Sequence, residues 1–333
     1  MKNIIIFGAT GYIGAYLVDY FYNNLDSAEY SIFAVGKRKT NFFDKFNIQY
    51  IQVDVCQSED FLRLPVDNVY AIVNLIGLLP AYFRDYNPLA YVETNINGSI
   101  RILEYARKCH ADRVLYTQTW AEQAGFWGKY EKLSPELPRN LIFSGDHAFY
   151  SITKSMVVDT MHFYREEYGI KDFIFRLPNV YMYAPQKKYY VNGVEKNIAY
   201  RYMIECASVG KDLELWGNPD AFKDILYVKD LCQLICKAVV ANLNNGIYNA
   251  GTGIKTTLRE QIEGYIKVFS PNPEKVKIIE KTDKESFISF VMDIQNAKEE
   301  LGYEPKYSYI DYLEDYKKEQ ELKRFDSLWL SKK

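Results

Sequence analysis

The sequence is poor in metal-binding side chains. Its three histidines, His110, His147 and His162, are scattered, and its five cysteines contain no C-x-x-C pair. That excludes an obvious zinc site, and no metal is expected. Cys232 and Cys236 fall one helical turn apart, the spacing of a buried helix face, and reduced intracellular thiols account for an odd cysteine count. Charge of one sign is lacking too. Lys and Arg number 41 against 43 Asp and Glu, a net of −2, which gives no surface for nucleic acid or another polyanion. Long apolar runs are missing. The N-terminus carries one lysine and a short apolar run broken by glycines, so neither a signal peptide nor a membrane anchor is expected, and the protein is read as cytoplasmic. Repeats and low-complexity tracts are absent from the sequence.

What is present is enough for a large core: 333 residues, 48% of them hydrophobic, which points to two lobes or to one domain with an appendage. Tyrosine is abundant, at 30 residues. Amphipathic packing at the core edges is the expected use of most of them.

Short apolar runs read as strands at Lys2–Phe7, Ser31–Val35, Ile48–Val53, Tyr70–Ile76, Arg113–Thr117 and Phe173–Leu177. Helical spacing appears in Gly14–Tyr22, Val92–Cys109 and His147–Tyr168. Strands alternating with helices predict an α/β fold, a parallel sheet doubly wound with right-handed crossovers. Beyond about Pro185 the alternation stops and prolines and lysines cluster. The expected division is residues 1–184 for the sheet domain, 185–324 for a smaller mixed α/β lobe, and 325–333 for a tail that frays beyond Arg324. Later C-terminal segments are allowed to return to the first domain.

Directly after the first strand stands Gly8-Ala9-Thr10-Gly11-Tyr12-Ile13-Gly14, which opens a helix. In this context the glycines have separate physical uses. Gly8 permits the tight turn, Gly11 lets the backbone approach a pyrophosphate, and Gly14 lets helix pack on strand. The helix N-terminus presents free N–H groups to phosphate. A dinucleotide on a Rossmann-type sheet is the expectation, held by Gly8, Thr10, Gly11, Tyr12, Ile13 and Gly14, with Leu75 and Gly77 at the end of the fourth strand.

The end of the second strand selects between dinucleotides. NAD sites place an acid there for the ribose 2′-hydroxyl. Here the chain reads Val35-Gly36-Lys37-Arg38-Lys39. Gly36 leaves space, and Lys37 and Arg38 can pair with a 2′-phosphate, which favours NADP(H), with NAD(H) as the alternative.

Tyr150 and Lys154 are four residues apart in a helical stretch and so share a face. An ammonium beside a phenol stabilises the phenolate, so Tyr150 can exchange a proton while hydride moves at a neighbouring carbon. Lys154 can also hold the nicotinamide ribose. Thr119, at the end of the fifth strand, can hydrogen-bond the reacting oxygen, with Thr117 as the alternative.

Taken together, these segments make the sequence resemble the extended short-chain dehydrogenase/reductase family of nucleotide-sugar epimerases, dehydratases and reductases. The resemblance runs nearly the whole chain: Gly8-x-x-Gly11-x-x-Gly14, Asp54-Val55, Asn95-x-x-Gly98, Thr119, Tyr150-x-x-x-Lys154, Arg176-x-x-Asn179-Val180-Tyr181, Lys223-Asp224 through Asp230, Tyr248-Asn249-x-Gly251, and Leu301-Gly302-Tyr303-x-Pro305. It implies that Asp54 and Val55 contact the adenine. It also implies a nucleotide-sugar substrate between the lobes, near Asn179 and Lys223, and a homodimer through the helices near 92–109 and 147–168. Three departures stand out. Lys223 replaces an arginine, Trp120-Ala121-Glu122 follows Thr119 in place of the Asp-Glu pair of 4,6-dehydratases, and Pro138–Phe149 is longer than usual and predicts a reshaped loop near the substrate.

Two enzymatic readings follow, a reductase as the favoured one and an epimerase as the alternative. A reductase would deliver hydride from NADPH to a keto-sugar nucleotide, with Tyr150 as proton donor and Thr119 polarising the carbonyl. An epimerase would oxidise and re-reduce one carbon with a retained cofactor and the same three residues. A third reading, a non-catalytic NADP sensor of the same fold, has no use for Tyr150 and Lys154.

Overall fold

The computed structural model describes residues 1–82, 84–145 and 147–330. Strand β1, Lys2–Phe7, is buried from Ile4 to Phe7 with alternate side chains entering opposite cores. A strand apolar on both faces needs a helical layer on each side of its sheet. The other strands of that sheet are β2 Tyr30–Gly36, β3 Gln49–Gln52, β4 Val69–Asn74, β5 Arg113–Thr119, β6 Lys171–Leu177 and β7 Asn245–Asn249. They run in the order β7-β6-β5-β4-β1-β2-β3, every pairing parallel. The order reverses between β1 and β4, so the crevice for a ligand opens beyond Phe7 and Asn74, which are paired in register.

Six of these strands coincide with the apolar runs of the sequence. β7 comes from far beyond residue 184 and pairs with β6 from Asn245↔Asp172 to Asn249↔Arg176. Its chain reaches the sheet edge through helix α5, Val228–Val240, which packs on α1, Tyr12–Asn24. On the opposite face lie α2, Gly98–Lys108, and α3, Ala148–Tyr168. A π turn over Val92–Asn97 leads into α2, interrupting what the sequence presents as one helix. Such turns displace a side chain from regular helical register. Here the displaced region includes Asn95, fully buried.

The remaining elements form the smaller lobe. An antiparallel hairpin joins Lys188–Val191 to Val194–Asn197, Leu213–Trp216 pairs with Ile278–Lys281, and Phe222–Lys223 pairs with Thr256–Thr257. Around them pack α4 Ala199–Ser208, α6 Leu258–Phe269 and α7 Tyr309–Leu322. Many tyrosines lie deeper than the core edge. Tyr16, Tyr116, Tyr227, Tyr248, Tyr303 and Tyr312 are among the largest fully buried side chains. Partners make this tolerable for most: the Tyr227 hydroxyl donates to Asp315 at 2.5 Å, Tyr248 to Glu300 at 2.6 Å, and Tyr303 to the Gly251 carbonyl at 2.8 Å.

The tail does not fray at Arg324. Arg324 bonds both oxygens of Asp19 at 3.0 Å, and a last short helix, α8 Asp326–Trp329, buries Phe325, Leu328 and Trp329. Aromatic area outweighs the cost of ordering these few residues, because Phe325 and Trp329 find Tyr16 and Tyr12 already in place. Residues 331–333 lie outside the described residues.

Candidate active site

The turn after β1 is built from steric necessity. Gly8 has φ +86°, and a β-carbon on it would meet Leu75 Cβ at 3.2 Å. A β-carbon on Gly14 would sit 2.1 Å from the Gly8 carbonyl oxygen, closer than any real contact. Helix α1 starts here with Gly11 at its N-cap, so no side chain of the cap residue covers the first N–H groups of Tyr12, Ile13 and Gly14, and no acid stands in the first turn. That leaves a cradle of backbone donors beside the crevice, the arrangement that suits a pyrophosphate. These residues fit a dinucleotide.

Gly36 ends β2 directly against this turn: a β-carbon on it would lie 2.7 Å from Thr10 Oγ1. The two cations that follow are both engaged. Lys37 Nζ lies 2.8 Å from Asp54 Oδ2, and Arg38 Nη1 donates to the Leu328 carbonyl of α8 at 3.3 Å. For Asp54, burial opposes ionisation, but the bonds from Lys37 and the Cys56 N–H outweigh it and hold the carboxyl below its ordinary range. Val55 is buried against Gly98, where a β-carbon would come 2.7 Å from Val55 Cγ2.

Tyr150 and Lys154 stand in the first two turns of α3, on one face, and both are buried. Their heads converge on Gly77. A β-carbon there would lie 3.7 Å from Lys154 Nζ and 3.8 Å from the Tyr150 hydroxyl, so the glycine keeps open the space both groups face. Lys154 Nζ donates to the Ile76 carbonyl at 3.2 Å. Burial pushes its pKa down to about 7. Asn95 secures this corner, with its Oδ1 accepting from the Leu78 N–H at 2.7 Å and its Nδ2 donating to Thr153 Oγ1 at 3.1 Å. Asn95 is thus a site-building residue to which the sequence assigns no role. Only its place in the Asn95-x-x-Gly98 motif and the polar break in an apolar helix hint at it.

Thr119 is half-buried at the end of β5. Its Oγ1 accepts from the Ala121 N–H at 3.2 Å, leaving the hydroxyl proton to be donated. Behind it lies a network that motif reasoning does not reveal. Gln118 accepts from the Thr119 N–H at 2.7 Å and donates to Glu122 at 2.9 Å and to Ser155 Oγ at 3.3 Å. Glu122 pairs with Arg176, which also donates to the Pro135 carbonyl. Arg176 is therefore a buried brace at the strand end. Glu122, taken up by Arg176, is not presented to the crevice as an acid.

Beyond Glu122 the chain is tied down by Asn140, whose N–H donates to the Glu122 carbonyl at 2.8 Å. Within Pro138–Phe149, Ile142 and Phe143 are exposed, and Asp146 lies outside the described residues. Trp120 stacks between Trp127, centroids 4.1 Å apart, and Phe290, 4.0 Å. Asn179 is exposed just beyond β6. Lys223, half-buried, lies 3.8 Å from the Phe287 ring centroid, and burial pushes its pKa down to about 8. The structure thus brings Gly8 against Leu75, Thr10 against Gly36, Lys37 against Asp54, and Tyr150 with Lys154 against Gly77. Asn179, just beyond β6, and Lys223, in the smaller lobe, stand on separate segments.

Other sequence landmarks serve as braces. Asp224 accepts from the Thr252, Gly253 and Met292 N–H groups at 2.7, 3.0 and 3.1 Å, and Asp230 from the Lys306 N–H at 2.7 Å.

Comparison with known proteins gives the family and the fold. A 351-residue alignment with an uncharacterised protein of Methanocaldococcus jannaschii is 24% identical and covers 100% of this chain and 97% of that protein. UDP-glucuronic acid decarboxylase 3 of Arabidopsis thaliana is 25% identical over 91% of this chain and 84% of its own. In fold, the chain is similar to UDP-glucose 4-epimerase of Thermotoga maritima, solved with UDP-glucose. The TM-score is 0.76 at 21% identity, covering 96% of this chain and 99% of that one. Residues 4–251 match the NAD dependent epimerase/dehydratase family. With the glycine cradle, the doubly wound sheet and the Tyr150–Lys154 pair in place, the chain belongs to that family.

Proposed function

We propose that this enzyme epimerises a nucleotide-activated sugar by oxidising and re-reducing one carbon with a retained dinucleotide. The observation that carries the reading is the convergence of Tyr150 and Lys154 on the open space at Gly77, at the crevice end of β4. When bound, the nicotinamide takes and returns the hydride. Tyr150 removes the proton of the substrate hydroxyl as its C–H bond breaks, then gives the proton back as hydride returns to the opposite face of the same carbon. Redox is balanced over the cycle. In its protonated form Lys154 favours the phenolate that Tyr150 becomes as the proton moves, and Thr119 donates to the reacting oxygen. Asn179 and Lys223 serve the diphosphate of the substrate. Retention is supported by α8, which sits on the glycine turn through Trp329 and Tyr12.

A second reading, an NADPH-dependent keto-sugar nucleotide reductase with Tyr150 as proton donor, is favoured by the basic pair Lys37 and Arg38. One experiment separates them. Purified protein is incubated with UDP-glucose, related UDP-sugars and keto-sugar nucleotides, with dinucleotide first below the protein concentration and then in excess, and products are resolved by stereochemistry. Epimer formation at substoichiometric added dinucleotide supports the first reading; turnover only with one NADPH consumed per product supports the second.

A homodimer and a cytoplasmic site of action belong to the same proposal. The exposed Met156, Phe163 and Tyr168 on α3 support the dimer, to be measured by light scattering. Among the described residues no helix is long and apolar enough to cross a membrane, and Cys56, Cys109, Cys206, Cys232 and Cys236 are free thiols.

A further inference from the structure

Thr119 and Tyr150 stand on different elements, β5 and α3, and the proposed reaction needs both side chains at one oxygen. Pairing of β5 with β4 stops at Tyr116, opposite Asn74, so the last residues of β5 have a strand on one side only. There a side chain takes over. Gln118, 1% exposed, accepts from the Thr119 N–H through Oε1 at 2.7 Å and donates through Nε2 to Glu122 Oε2 at 2.9 Å. An N–H on one side and a carboxylate on the other leave this amide a single orientation. Glu122 is itself fixed, because its other oxygen, Oε1, is taken by Arg176 of β6, the residue opposite Gln118 in register. Ser155 Oγ, on α3 next to Lys154, lies 3.3 Å from the same Nε2. The Thr119 side chain is tied separately, its Oγ1 accepting from the Ala121 N–H at 3.2 Å.

We infer that Gln118 is a positioning residue of the proposed reaction: its amide passes the fixity of the buried Glu122–Arg176 pair to the backbone of Thr119, and so keeps the Thr119 hydroxyl where it meets the reacting oxygen. This rests on the function proposed above, in its epimerase or its reductase form, since both use Thr119. Misplacing a reacting group by about 1 Å can cost roughly 10²-fold in rate. Gln118 does two tasks at once, accepting on one side and donating on the other. A methionine there does neither, and an ionised glutamate only the first. Nor is a cation free to answer a carboxylate at this position. Arg176 is spent on Glu122, and Arg139, from the stretch before α3, stands 3.8 Å from Glu122 Oε2 and is bonded to Asp159 at 2.7 Å. From α3 the side chain that meets Gln118 is Ser155, which carries no charge.

The test compares steady-state kinetics of the parent and two variants, with UDP-glucose, related UDP-sugars and keto-sugar nucleotides as probes and dinucleotide in excess. Gln118→Met keeps the length of the side chain and removes both bonds. Its kcat is expected to fall by about 10–100-fold, while KM, NADH affinity and the number of NADH sites per chain stay within about threefold of the parent. Gln118→Glu keeps the acceptor for Thr119. Protonated, its carboxyl also donates to Glu122; ionised, it sets two carboxylates face to face, and such a pair holds one proton to higher pH. Relative to the parent, kcat of Gln118→Glu is expected to stay within about threefold near pH 6 and to fall by about tenfold or more near pH 9. A merely structural loss adds no such limb, so this profile decides even where Gln118→Met does not fold. With an active parent, a Gln118→Glu profile parallel to the parent's, or an unchanged kcat in folded Gln118→Met, would overturn the inference alone. A parent that turns over none of the probes would overturn the proposed function and the inference with it.

Discussion

Lys154 Nζ lies 3.9 Å from the centroid of the Tyr116 ring, and the Tyr116 hydroxyl donates back to the Lys154 carbonyl at 3.5 Å. The lysine that the proposed chemistry needs is thus seated on an aromatic face beside the space at Gly77. A ring face is a weak substitute for water, and the low pKa of Lys154, about 7, follows from that burial.

Burying this lysine costs stability, and the sign of its pH dependence is determined. Between pH 7 and 10.5 the unfolded chain holds more protons on Lys154 than the folded one, so its penalty is full below pH 7 and fades as pH rises through that window. Lys154→Met is expected to melt higher than the parent at pH 6.5, by roughly 1–3 kcal/mol in stability, and the advantage should vanish near pH 10. Turnover should be lost. A variant that melts lower at pH 6.5 would show that Lys154 is held by more than the ring and one carbonyl.

Tyr150→Phe removes the hydroxyl that faces Gly77 and leaves the ring in its buried seat. Turnover is expected to fall by about 10²–10⁴. NADH affinity, read by fluorescence titration, should stay within about threefold, since general acid–base work and cofactor binding are separate tasks. Retained turnover would remove Tyr150 from the mechanism.

Gly14→Ala tests the cradle. The added methyl would lie 2.1 Å from the Gly8 carbonyl oxygen and 2.8 Å from Ala9 Cα, both backbone atoms with no way to turn aside. Loss of about 1–3 kcal/mol in urea unfolding is expected. Dinucleotide affinity should drop by more than stability alone explains, because the turn that aims the N–H groups must shift. Unchanged NADH binding would contradict the turn as the phosphate site.

Glu122→Ala leaves Arg176 buried without its partner, a change worth about 3–5 kcal/mol when a buried ion pair is broken. Glu122→Gln should cost less, because the amide oxygen still accepts from Arg176. Both variants are checked by thermal melting. If Glu122→Gln folds normally yet loses turnover as fully as Tyr150→Phe, Glu122 is chemical as well as structural.

Much of the site is legible in the sequence because its signals are local. The glycine spacing from Gly8 to Gly14 specifies a turn that only glycine can make. The four-residue interval of Tyr150 and Lys154 specifies a shared helix face. Strand alternation is similarly local, and six strands of the sheet stand where short apolar runs stand. Other features have no such signature. Gln118, Glu122 and Arg176 are ordinary polar residues until β5 and β6 lie side by side in register, with Gln118 opposite Arg176.

By itself, then, the sequence determined the doubly wound sheet, the dinucleotide turn and the Tyr150–Lys154 pair, since each depends on backbone geometry within a few residues. Tertiary structure alone decided that β7 completes the sheet edge, that the tail becomes α8, and which acceptors hold Lys37 and Arg38. The physical reason is range. A charge on a strand-end loop carries the same covalent neighbours whether it is free or engaged. Its partner, 17 positions away at Asp54 or 290 away at Leu328, is chosen only by the folded chain.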